Sequence, residues 1–137
     1  MTPKQYLHQY RRALWRIELA KREIERARDR ASGVRAILYS DMPKSQNVER
    51  DLSDAIVIIE NATERYKQVL TAQTALIAEV AAVIYNVQDK DQSKILWLRY
   101  VEGWRFPEIA EHLHITERWM YTLHGRGLED VRRQIQQ

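Results

Sequence analysis

Cysteine is absent from the 137 residues, which excludes disulfides and thiolate metal sites. Glycine occurs four times, proline three times and phenylalanine once, too few turn formers for a fold of many strands. No uninterrupted apolar run approaches the roughly 20 residues that cross a bilayer, and no signal-peptide core follows the N-terminus, so the expected location is the cytoplasm. There is no phosphate-cradling glycine loop, no paired catalytic carboxylates and no nucleophile–base–orienter set, so an enzyme is not expected, nor is a cofactor. What is abundant is Ala, Leu, Ile, Glu, Arg, Lys and Gln, a helix-forming composition. The expected fold class is all-α.

The net charge of +3 is unevenly spread. Residues 1–35 carry ten Lys/Arg against four Asp/Glu, residues 36–88 four against seven, and residues 89–137 eight against eight. Positive charge is concentrated at the start of the chain. The basic residues there (Arg11, Arg12, Arg16, Lys21, Arg22, Arg26, Arg28 and Arg30) read either as a phosphate-contacting arm or as a solvated face partly paired with the acidic second helix. The solvated face is the preferred reading.

Thr2, Pro3 and Gln5 form a capping-box start, and Leu7, Tyr10, Leu14, Ile17, Ile24 and Ala31 follow at helical spacing. This predicts a first helix over about 3–31, stopped by Gly33. Residues 32–50, with Gly33, Pro43, Ser45 and Asn47, read as the main loop, with room for a helical turn at Val34–Tyr39. A second helix then carries a heptad seam, Leu52, Ile56, Ile59, Thr63, Tyr66, Leu70, Gln73, Ile77, Val80, Ile84 and Val87. A parallel row at Ala62, Val69, Leu76 and Val83 widens the apolar stripe beyond what one neighbouring helix would cover. Thr63 and Gln73 look like register-setting polar residues. Residues 1–88 are therefore expected to form a coiled-coil-like helical hairpin, a candidate region for oligomerisation or polymerase contact, with Trp15 in its core.

From Asp89 the pattern changes. Asp89 and Gln92 can cap a short helix with Ile95, Leu96, Leu98, Tyr100 and Val101 as its apolar surface, ended by Gly103 and bracketed by Trp97 and Trp104, which are expected to pack this region against the hairpin. Next comes FPEIAEHLHITERWMYTLHGRGLEDV, residues 106–131. A helix-turn-helix needs an apolar pair and a small residue on its first helix, an apolar plug in the turn, and a capped second helix with one buried face. Ile109, Ala110 and Leu113, then Ile115, Thr116, Met120 and Leu123 meet those needs. The exposed start of the second helix would then present Glu117, Arg118, Tyr121 and Thr122 to a major groove. His112, His114 and His124 read as structural or phosphate-facing, because metal binding needs more ligands and a closed geometry.

Residues 95–131 resemble region 4 of sigma-70-type factors, through LRY, Gly103, EIAEHL, an ITER start to the second helix and a late Leu128, in that order. With the long helical N-terminal part, the chain also resembles the phage late-gene regulators of the RinA/ArpU type. The resemblance implies a DNA-binding domain at 89–137, with Glu117, Arg118, Tyr121 and Thr122 at the bases, Thr116 at the start of the DNA-binding helix and Arg126 near a phosphate. Arg118 is the strongest candidate, since a guanidinium pairs bidentately with guanine. Implied partners are double-stranded DNA and RNA polymerase, with a second copy of the chain a further candidate. The alternatives are a small terminase subunit, which also joins a helix-turn-helix to long helices, and a pure interaction module. The chain departs from the sigma pattern at His114, where glycine is frequent, at Trp119 and Tyr121 on the reading face, and at Gly125 and Gly127, where alanine is common.

Overall fold

A computed structural model describes residues 1–40 and 48–137. Five α-helices and one π-turn occur among the described residues: α1 (Pro3–Leu38), α2 (Val48–Tyr85), α3 (Lys90–Leu96), the π-turn (Trp97–Val101), α4 (Phe106–Leu113) and α5 (Glu117–Ile135). No strand occurs among the described residues, so the fold is all-α as composition required.

The start of α1 is fixed by a reciprocal capping box. The Thr2 N–H donates to Gln5 Oε1 at 2.9 Å and the Gln5 N–H to Thr2 Oγ1 at 3.2 Å, satisfying two of the helix's orphan donors. The expected stop at Gly33 is corrected: α1 runs through it to Leu38, so the suggested helical turn at 34–39 is the end of the same helix. A glycine costs only about 1 kcal/mol in a helix interior, and Val34, Arg35, Ala36, Ile37 and Leu38 continue the helix beyond it. The expected loop at 32–50 is thereby shortened from both sides, and Pro43, Ser45 and Asn47 lie outside the described residues.

The chain divides into two compact units, one made of 1–14 with 74–137 and the other of 15–73. These do not follow the 1–88 and 89–137 segments of the sequence reading, because the start of α1 and the end of α2 pack with the short helices.

In the unit of 1–14 and 74–137, two apolar clusters form the core. One joins Tyr6 and Leu7 of α1 and Val80 and Ile84 of α2 to Val87, Leu96, Tyr100 and Val131. The other, Ile95, Leu98, Ile109, Ala110, Met120 and Leu123, binds α3, α4 and α5 together. Gly127 lets α5 approach α3 closely: a Cβ there would lie 3.2 Å from Leu96 Cδ1. Trp97 packs on the first cluster, near Tyr85 and Tyr10, as expected of it. Trp104 instead joins the second cluster, with its ring edge-on to His112, and so packs within the helix-turn-helix.

In the unit of 15–73, α1 and α2 lie side by side and Arg65 Nη1 donates to Glu23 Oε2 at 2.8 Å. The basic partner sits on α2 and the acidic one on α1, opposite to the pairing expected from segment charge. Burial here is dominated by small residues: Ala20, Ile24, Ala27 and Ala31 of α1 and Ala55 and Ala62 of α2. The heptad seam is left half-open, with Leu52, Ile59, Thr63, Tyr66 and Gln73 partly buried and Ile56 and Leu70 exposed. Trp15 is corrected too. It is 51% exposed rather than in a core, and the Arg22 guanidinium lies 4.9 Å from its ring centre.

Helix Glu49–Tyr85 is long and apolar enough, by length and composition, to cross a membrane, with mean hydropathy 1.4 over an 18-residue window of which 11% is buried. This amends the expectation drawn from uninterrupted apolar runs. Glu60, Glu64, Arg65 and Lys67 stand mid-helix, and only toward its end, at Val80 and Ile84, is the apolar surface of α2 fully buried, while Ile56, Val57, Ile58 and Leu70 stay exposed.

Candidate DNA-binding site

The site is built on α4 and α5. Arg105 precedes α4 in extended conformation, and Pro107 occupies its first turn, where a missing N–H costs nothing. His114 closes α4 in the left-handed region (φ 57°, ψ 42°), and its N–H and that of Ile115 reach back to Glu111 O and Ala110 O. This is the position where the sigma pattern favours glycine. Histidine takes up the strain, on the order of 1 kcal/mol, because the turn is fixed on both sides by apolar contacts. Ile115 packs on the core as the plug, and Thr116 Oγ1 accepts from the Trp119 N–H at 3.1 Å as the cap of α5.

Met120, Leu123, His124, Gly127 and Val131 are the buried side of α5. At about 100° per residue, the opposite side carries Arg118, Thr122, Gly125 and Glu129. Trp119 and Arg126 fall on one flank, Glu117 and Tyr121 on the other. All six sequence-predicted residues are exposed: Arg118, Tyr121, Thr122 and Arg126 lie on the half of α5 turned away from the core, while Thr116 caps the helix and Glu117 lies nearer its buried side. Arg118 makes no ion pair or side-chain hydrogen bond among the described residues, so its donors are open. The Thr122 hydroxyl donates to Arg118 O at 3.1 Å and keeps its acceptor sites. Tyr121, 49% exposed, leans on Phe106 with ring centres 5.1 Å apart.

Trp119 was passed over as a site residue. It is 44% exposed, and the Arg126 guanidinium lies 5.3 Å from its ring centre. The two are seven residues apart, two helical turns, so the pairing was legible in the spacing. Stacking holds Arg126 beside the reading face.

Support comes from beneath. The Arg99 guanidinium stands 4.1 Å over the Phe106 ring and donates to Trp104 O at 3.0 Å, tying the π-turn to the start of α4. Phe106 in turn meets His124 edge-on at 5.0 Å. His124 is 5% exposed and shares a hydrogen bond of 2.9 Å with the Tyr100 hydroxyl. Burial first, then the positive charges of Lys4 and Arg99, push the imidazole down to about 4. Burial pushes Tyr100 up to about 12. Both groups are therefore neutral at physiological pH, and they position α5 on the π-turn. The three histidines near the turn have separate places, and among the described residues no group of three His, Asp or Glu side chains gathers as metal ligands would.

Residues 89–131 match the family model for sigma-70, region 4. No curated protein and no solved structure matches the chain. The matched segment, which begins at the Asp89 cap of α3 and ends at the buried Val131 of α5, is a sigma region 4-like helix-turn-helix, a DNA-binding fold. The match covers less than a third of the chain, and α1 and α2 lie outside it.

Proposed function

We propose that this protein is a sequence-specific transcriptional regulator, acting on phage or prophage late genes, that reads the major groove with α5 from Thr116 onward. The observation that carries the reading is Arg118, an exposed guanidinium in the first turn of α5, opposite its buried face and within the sigma region 4-like segment. In a major groove it would pair bidentately with guanine O6 and N7, with Thr122 and Tyr121 meeting a thymine methyl or a phosphate. Glu117 would accept from cytosine or favour the positive end of the helix. The phage assignment rests on the order of long helices followed by a sigma-like domain. The protein would work in the cytoplasm, and RNA polymerase is the partner that a sigma-like domain implies.

The unit of 15–73 would join two copies. Ile56 and Leu70 of the heptad seam, Val57 and Ile58 of α2, and Trp15, Leu19 and Ile37 of α1 expose apolar surface there. Thr63 is already satisfied by its own helix, donating to Ile59 O at 2.8 Å.

Two measurements test the reading. Arg118→Ala should weaken binding to a selected duplex by about 5- to 150-fold, the 1–3 kcal/mol of a bidentate base contact, while binding to random duplex changes little. Equal loss on both duplexes would remove the base-reading role. Light scattering on the full chain should give a dimer. A large ring would favour the terminase alternative, and a monomer at tens of micromolar would remove the seam as an interface.

A further inference from the structure

Resting on the DNA-binding reading, we propose that the cleft between the start of α1 and the π-turn is a second phosphate site, which grips the duplex backbone beside the groove read by α5. The cleft, of about 560 Å³, is lined by Gln5, His8, Arg11, Arg12, Arg99 and Gly103, with three guanidinium groups and no carboxylate. Arg11 Nη1 donates to Val101 O at 3.3 Å and Arg12 Nη2 to Gln5 O at 3.2 Å. Neither forms an ion pair among the described residues. A guanidinium has five N–H donors, so each is anchored by a backbone carbonyl while most of its donors stay open to an anion.

Gly103 completes the site. Its φ of 77° favours glycine, and the Arg11 guanidinium fills the space that a Cβ would take. The cation is thereby packed against bare backbone. The field in the cleft is positive: His8 is held below its ordinary range, first by burial and then by Arg99, Arg12 and Lys4.

A duplex phosphate is the occupant that the charge distribution favours. Residues 89–137 hold eight Lys/Arg and eight Asp/Glu, no net charge with which to meet a polyanion. Residues 1–14 bring Lys4, Arg11 and Arg12 and no acid, and they pack in the same unit. The cleft is also near the reading face. Arg99 lies 4.1 Å from the Phe106 ring centre, and that ring lies 5.1 Å from the Tyr121 ring. Phosphates succeed one another every ~3.4 Å of axis along a strand, so a site two ring contacts from Tyr121 falls within a few phosphates of the bases that α5 meets.

The test uses the full chain, as wild type, as Arg12→Gln and as Arg11→Gln with Arg12→Gln, with circular dichroism melts to establish folding. The three atoms nearest the Cβ position of Gly103 all belong to Arg11, so the Arg12 single variant keeps the test sound should the double variant unfold. Affinity for a mixed-sequence duplex of about 30 base pairs is measured from ~50 to ~200 mM salt. Each arginine removed should make the slope of log K against log[salt] shallower by about 0.9, and should weaken binding roughly eightfold near 0.1 M salt on any sequence. On a duplex carrying a selected site, which fixes the register, methylphosphonate at one or two backbone positions should weaken wild type and not the double variant. A folded variant with wild-type affinity and slope overturns the cleft while leaving base reading by α5 intact, and it is also the result expected if the cleft serves an acidic protein surface instead. Absence of duplex binding by wild type overturns both.

Discussion

Leu7→Ala should destabilise the DNA-binding unit by about 3 kcal/mol, although residue 7 is far in sequence from α5. Leu7 is fully buried and packs among Tyr6, Val80, Ile84, Val87, Leu96, Tyr100 and Val131. Truncation of a buried leucine costs about 2–5 kcal/mol, the transfer term plus the cavity left behind. The loss would read as a lower urea midpoint for the transition that also abolishes duplex binding. Gln68→Ala is the control: that side chain is exposed and outside the proposed dimer surface, and the change should stay within about 0.5 kcal/mol. If Leu7→Ala left the binding transition where it was, residues 89–131 would be stable without α1, and the two-cluster core described above would be wrong.

Acid should loosen the same unit. His124 titrates near 6.5 when the chain is unfolded and at about 4 when it is folded. Between those values the unfolded chain binds more protons, so stability falls as pH drops through that window. Above about pH 6.5 the contribution is complete; at pH 4 most of it is gone. The total is on the order of 3 kcal/mol, and His8, lowered in the same direction, adds to it. Urea midpoints at pH 7, 5 and 4 should follow this course in wild type. His124→Gln, which keeps a hydrogen-bond partner for Tyr100 and removes the titration, should flatten it. Identical pH courses for the two proteins would show that the acid response comes from other groups.

The parts legible in the sequence are those set by neighbours in the chain. The Thr2–Gln5 box, the Asp89 and Thr116 caps, the Ile115 plug and the buried stripe of α5 follow from spacings of three and four, and the structure has each of them. The exposed reading residues followed as the complement of that stripe. Periodicity says that a helix has an apolar face but not which element covers it. For that reason Leu7 and Tyr6 gave no sign that they share a core with Val131, and Trp15 looked buried when it is exposed. Gly33 misled for a different reason: a local cost of about 1 kcal/mol loses to the helix formers around it. The arginines of the cleft were visible only as a charge run, because their meeting with Arg99 and Gly103 depends on chain folding back from residue 74 onward.

That fold-back has a consequence for synthesis. The hydrogen bond from Arg11 to Val101 closes a loop of 90 residues, and the core around Leu7 waits for Val131. At translation rates of about 5–20 residues per second, Tyr6 and Leu7 emerge on the order of ten seconds before their last partners. Throughout that interval the nascent chain presents an unsatisfied apolar helix start to the ribosome exit and to chaperones. Vectorial folding, in which each segment settles as it appears, is closed to the DNA-binding unit: it gains its activity only when both ends of the pathway have met.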